Sequence, residues 1–182
     1  MTKVVPKETM MRIAHAPKGV FAFKTDARNQ FYPYELLNYS PTPTIIVPLR
    51  RTATGMHTLL KQHGYDLNNV HYIDILAKHI KSPLEQKNTT YIQHINLSDL
   101  SEAIQEKVKA LGSSPKTVII DDAHILIPHH GELKTRRFLD NLTSTLHNSF
   151  TKTVVLAEHQ RLPKEVSKFL FTHASDVIEI PA

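Results

Sequence analysis

The chain predicts an α/β protein, a three-layer fold whose mostly parallel sheet is flanked by helices. Three observations carry that expectation. Short apolar, β-branched runs recur along the chain, and amphipathic helical patterns lie between them. The runs also lack the polar alternation of a sheet with one wet face, so both faces are expected to be covered. Alternating strands and helices then imply crossover units.

Six segments fit buried strands: "GVFAF" (19–23), "TIIV" (44–47), "VHYIDI" (70–75), "TVIID" (117–121), "TVVLAE" (153–158) and "DVIEI" (176–180). Glu179 interrupts the last and is expected to face solvent at a sheet edge. Between the runs, "TGMHTLLKQHG" (54–64) sets Met56, Leu59 and Leu60 on one stripe, with His63 near it, and Gly64 suits a C-cap. "NLSDLSEAIQEKVKALG" (96–112) offers Ser98 and Ser101 as N-caps and repeats Leu100, Ile104, Val108 and Leu111 at helical spacing before Gly112 ends it. "ELKTRRFLDNLTSTLHNSF" (132–150) is expected to point Leu133, Phe138, Leu142, Leu146 and Phe150 inward. "PKEVSKFLFTHA" (163–174) is a shorter helix with Pro163 in its first turn. Segments 25–43 and 78–90 are polar or interrupted by proline and read as loops or short helices.

Length and composition narrow the function classes. A chain of 182 residues suits a single domain over 1–182. It is 41% apolar and 21% charged, as soluble globular proteins are. Cysteine is absent, which excludes disulfides and thiolate metal sites and fits a reducing cytosol, so a cytoplasmic location is expected. The opening residues lack a secretory pattern, and no apolar run is long enough to span a bilayer, so no membrane partner is expected. A formal net charge of +5 is compatible with binding nucleic acid.

In an open parallel sheet the ligand site lies at the carboxyl ends of the strands. Those ends carry Lys24, Thr25 and Asp26, then Arg50 and Arg51, Asp74, Asp121 and Asp122, and Glu158, His159 and Gln160. A phosphate cradle of the form G-x-x-x-x-G-K-[ST] is absent, and the five glycines stand apart at 19, 55, 64, 112 and 131. "KTDARNQFYPYELLNY" after the first strand has no glycine, and Met56 follows Gly55 where a lysine would be needed. No G-x-S-x-G elbow exists, which argues against hydrolase chemistry of that class. The 12 histidines, three of them in "HILIPHHG" (124–131), lack H-E-x-x-H spacing and read as dispersed.

From "TIIVPLRR" onward the order of elements resembles the RecA-type core of the KaiC-like ATPases of archaea and bacteria. The matching parts are "HGYDLNNVHYID", "LSDLSEAIQEKVKALGSSPKTVIIDD", "TVVLAEH" and "ASDVIEI". The resemblance implies that Asp121 stands where the family assists magnesium. It also implies that Arg50 and Arg51 stand where the family has its catalytic glutamate, and that residues 1–40 replace the phosphate-loop region. An arginine cannot act as a general base, because its pKa stays above about 12. ATP and magnesium are therefore disfavoured as cofactors.

The candidate ligand-binding residues are Arg50, Arg51, Asp121, Asp122, Lys24 and Thr25, with Asp121 the metal candidate. No catalytic residue is assigned. Arg50 and Arg51 precede a helix whose N-terminus attracts anions, but a salt bridge to Asp121 or Asp122 is the favoured reading. Phe31, Tyr32, Tyr34 and Tyr39 stand where the phosphate loop is missing and either fill the vacated pocket or form a contact surface, core filling being the favoured reading. Lys134, Arg136 and Arg137 read as an outward helix face. The expected role is a non-catalytic, pseudo-ATPase-like regulatory or interaction module whose partner is a related ATPase or a second copy. Residual binding of a nucleotide or other anion is the alternative, and nucleic-acid binding the second alternative.

Overall fold

A computed structural model describes residues 6–25, 31–77, 87–93 and 96–180. Its strands are β1 (Gly19–Thr25), β2 (Thr44–Pro48), β3 (Val70–Asp74), β4 (Thr89–Tyr91), β5 (Lys116–Asp121), β6 (Thr151–Glu158) and β7 (Asp176–Glu179). They form one sheet in the order β4-β3-β2-β5-β6-β1-β7, and every pairing is parallel. The six expected strands are present. The seventh, β4, falls in the segment read as loop: three half-buried residues carry too little apolar signal to announce a strand, and pairing with β3 creates it.

The helices are α1 (Lys7–His15), α2 (Leu36–Tyr39), α3 (Ala53–Gln62), α4 (Leu97–Ala110), α5 (Leu126–His130), α6 (Glu132–Asn148) and α7 (Lys164–His173). A 3-10 turn, Tyr32–Glu35, leads into α2. Alternate strand residues feed two cores. Phe21, Phe23, Ile46, Tyr72 and Ile119 pack on one face with Met10, Tyr34, Leu37, Met56 and Leu60 from α1, the 3-10 turn, α2 and α3. Ile45, Val47, Ile73, Val118 and Ile120 pack on the other with residues of α4, α5, α6 and α7. This is the three-layer arrangement expected from the continuous apolar strands.

Local chemistry sets the helix ends. Thr52 caps α3, its hydroxyl accepting from the Gly55 N–H at 3.1 Å. The cap of α4 is Asn96, whose Oδ1 accepts from the Asp99 N–H at 2.7 Å, and not Ser98 or Ser101, which lie inside the helix. An amide oxygen one residue before the first turn reaches the free N–H groups better than hydroxyls already within it. Pro163 likewise precedes α7 as its cap residue.

Two inward assignments on α6 are corrected. Leu133 is 54% exposed and Phe150 is 61% exposed. The buried stripe is Thr135, Phe138, Leu139, Leu142, Thr143 and Leu146, and Leu133 lies off it in the first turn. Phe150 follows the helix with φ 51°, which turns its ring outward under the Lys18 ammonium, 5.4 Å from the ring centroid.

The helix α1 was not expected from the sequence. Met10, Ile13 and Ala14 bury it against the sheet. Its last carbonyls, of Ile13 and Ala14, accept from the Lys152 ammonium of β6 at 2.8 and 2.6 Å. A cation at a helix C-terminus complements the dipole. Burial nevertheless pushes the Lys152 pKa down to about 8.

Leu142→Ala is expected to destabilise the fold by about 2–5 kcal/mol, whereas Leu133→Ala should stay within about 0.5 kcal/mol, both read by urea unfolding. Lys152 gives a pH signature. Its folded pKa lies below the ordinary value, so the cost of burying the charge is fully present below about pH 8 and is relieved as pH rises toward the unfolded value. Stability should therefore gain a rising component from about pH 8 upward that is missing in Lys152→Met.

Candidate functional site

At neighbouring strands β2 and β5 the chain leaves toward opposite faces, into α3 from β2 and into α5 and α6 from β5. Such a switch in direction opens a crevice at the carboxyl ends. The register pairs Pro48 with Asp121, which sets "LRR" beside "DD".

Asp121 and Asp122 are buried, at 3% and 4% exposure. Asp122 takes a left-handed conformation (φ 55°, ψ 48°), which aspartate tolerates better than most residues. This turn ends β5 and begins the 3-10 turn Ala123–Ile125. Arg51 Nη1 lies 4.0 Å from Asp121 Oδ2 and 3.9 Å from Asp122 Oδ2, and Arg50 Nη1 lies 3.8 Å from Asp122 Oδ2. The Arg51 guanidinium also sits 5.3 Å from the Phe31 ring centroid. The arrangement is two cations against two carboxylates at ion-pair range, longer than hydrogen bonds.

Several buried polar atoms around this cluster have no hydrogen-bond partner among the described residues: Asp121 Oδ2, Asp122 Oδ2, both His124 ring nitrogens and the Tyr34 hydroxyl. Tyr34 approaches Asp121 from the α1–α3 core without reaching hydrogen-bond geometry, and burial together with the two aspartates raises its pKa well above the ordinary value. His124 Nδ1 is 3.9 Å from Asp122 Oδ1. Burial lowers the His124 pKa, against the opposing pull of Asp122 and Glu158. Burial, and then the neighbouring Asp122 charge, raise the Asp121 pKa to about 7 against the arginines.

The other strand-end residues lie elsewhere. Lys24 pairs with Glu179 of β7, and its ammonium stands 4.4 Å from the Phe171 ring centroid. Thr25 is buried on the α1 side of the sheet. With β6 between β1 and β5, neither is brought to the aspartate pair. Asp26 lies outside the described residues. Glu158 pairs with Arg161 at 3.0 Å.

Asp74 is the strand-end carboxylate whose structural role the sequence did not reveal. It accepts from the Ala53 N–H at 2.5 Å and from the Leu76 and Ala77 N–H groups at 2.8 Å each. With Thr52 accepting from Gly55, two of the N–H groups opening α3 are taken by the protein itself. That helix N-terminus, expected from sequence to attract an anion, is served by Asp74.

The same geometry can be tested against magnesium, which takes several oxygen ligands in a tight octahedron. Both Oδ2 atoms of the aspartate pair instead have guanidinium nitrogens within 4.0 Å. Among the described residues no three histidine or carboxylate side chains converge as metal ligands. The residues as arranged do not fit a magnesium ion. No helix among the described residues is long and apolar enough to cross a membrane.

Asp121→Asn should raise the melting temperature by several degrees at pH 8, one pKa unit being worth about 1.4 kcal/mol. A carboxyl whose pKa is raised on folding stabilises below its unfolded pKa, and that contribution is lost as pH rises through about 7. The advantage of the asparagine should therefore vanish toward pH 4, as thermal scans across that range would check.

No family model matches the chain, and no curated protein matches it. Its similarity lies with solved structures. The KaiC-like protein PH0186 of the hyperthermophilic archaeon Pyrococcus horikoshii OT3 superposes with a TM-score of 0.65 at 17% identity, over 90% of this chain and 72% of that one. The uncharacterized protein PH0321 of Pyrococcus horikoshii, solved in complex with an unknown peptide, gives 0.67 at 12% identity, over 88% and 76%. A third, PH0250 of Pyrococcus horikoshii OT3, gives 0.63 at 15%, over 97% and 88%. At these identities the likeness is one of fold: the three-layer α/β fold of this chain is shared with a KaiC-like protein.

Proposed function

We propose that this chain is a non-catalytic RecA-like domain that works by binding another protein. One observation carries the reading: Arg50 and Arg51 meet Asp121 and Asp122 at the strand ends, so cations of the chain itself stand where catalysis would need a metal and a base. Arginine cannot take a proton from water at neutral pH. The sequence also lacks a G-x-x-x-x-G-K-[ST] cradle. Tyr34 fills part of the core beneath the pair, and Phe31 covers Arg51 from the side. A structural neighbour solved with a peptide supports a protein-binding role on this fold. A related ATPase or a second copy remains the class of partner that the resemblance suggests.

The competing reading, a nucleotide or other anion held by Arg50, Arg51 and Asp121, draws on the unpartnered carboxylate oxygens. Melting with and without millimolar ATP or ADP plus magnesium separates the two. A bound ligand at a hundred times its dissociation constant adds about 2.7 kcal/mol, a rise of roughly 5–10 °C for a chain of this size. We expect no rise. A rise abolished by Arg50→Ala with Arg51→Ala would replace this proposal with the ligand-binding one.

A further inference from the structure

On the α4–α7 side of the sheet, an open cavity of about 380 Å³ lies between α4 and α6. Leu97 and Phe138 are among its apolar lining, and Ser98, Lys134, Arg137 and Asn141 among its polar lining; among the described residues no carboxylate lines it. Lys134, Arg137, Phe138 and Asn141 recur at helical spacing, so one face of α6 supplies them. The opening turns of α4 supply Ser98, at the positive end of that helix dipole.

The cations here are not neutralised within the fold. Lys134 and Arg137 are exposed and form no ion pair among the described residues. His130, just before α6, has its pKa lowered first by burial and then by the neighbouring His129 and Lys134. Leu133, exposed and four residues before Arg137, adds apolar surface at the same end of the helix.

Resting on the protein-binding reading, we infer that the α4–α6 groove docks an acidic, amphipathic segment of a partner protein. Its carboxylates meet Lys134 and Arg137, and its apolar side chains meet Leu97, Leu133 and the accessible edge of Phe138. Charge complementarity selects this occupant. A nucleic acid suits the surface less well. Phe138 is only 6% exposed and offers no stacking platform. The neighbouring groove across α6 holds Asp140 and Glu165 beside Arg136 and Lys168, a mixed lining that gives a phosphate backbone no continuous basic track across the helix.

The test is fluorescence anisotropy with a fluorescein-labelled peptide repeating glutamate and leucine in an amphipathic pattern. A peptide with lysine in place of glutamate and a single-stranded oligothymidylate serve as comparisons. The acidic peptide should bind saturably. Lys134→Glu with Arg137→Glu should weaken it about tenfold or more, since two attractive charge contacts become repulsive. Lys109→Glu, exposed in the last turn of α4, should leave binding unchanged, as should the conservative Lys134→Arg. Absence of binding to the native chain overturns the inference, as does equal loss in Lys109→Glu. Tighter, steeply salt-dependent binding of the oligothymidylate would reassign the groove to nucleic acid. None of these outcomes alters the nucleotide melting experiment, so the groove can fail while the protein-binding reading stands.

Discussion

Parallel pairing of β2 with β5 is the contact on which the rest of the structure depends. These strands are far apart in sequence, and their ladder from Thr44–Thr117 to Pro48–Asp121 joins two halves of the sheet. On one side β3 and β4 extend it, and on the other β6, β1 and β7 do. The seam also fixes which residues enter each core, since a slip of one residue would exchange the two faces of a strand. Ile45 and Val47 serve the α4–α7 core, and Ile46 the α1–α3 core.

The same seam creates the electrostatic problem at the strand ends. Two buried carboxylates are forced together, and their desolvation is opposed by two partly exposed guanidinium groups at 3.8–4.0 Å. Those distances are too long for the hydrogen bonds that stabilise buried carboxylates. Asp74 presents the contrast. Three backbone N–H groups serve its carboxylate, and it ties the start of α3 to the turn after β3. One strand-end aspartate is thus a structural clasp, while Asp121 and Asp122 form a buried pair that faces two arginines at ion-pair range.

Partial neutralisation within the crevice and unneutralised charge on α6 point the same way. Charges at the strand ends are spent on one another, leaving little field there for a polyanionic ligand. The cations of α6 face solvent beside the groove between α4 and α6. In the proposed reading the binding function lies on a helix face and not at the strand ends, which the independence of fold and activity allows.

The α/β architecture, six of the seven strands and the four long helices α3, α4, α6 and α7 were legible in the sequence alone. Each carries enough apolar residues at a fixed period to declare its face. The clustering of Arg50 and Arg51 with Asp121 and Asp122 was also legible, because strand ends of a parallel sheet share one edge. Only the tertiary structure decided the rest. β4 exists because β3 offers it a ladder, and α1 persists because Met10, Ile13 and the Lys152 ammonium hold it. Lys24 turns away from the site because Glu179 and Phe171, distant in sequence, meet it on the far side of β1. Periodicity reports what a segment can bury; where a short segment or a single charged side chain goes depends on partners brought near by folding.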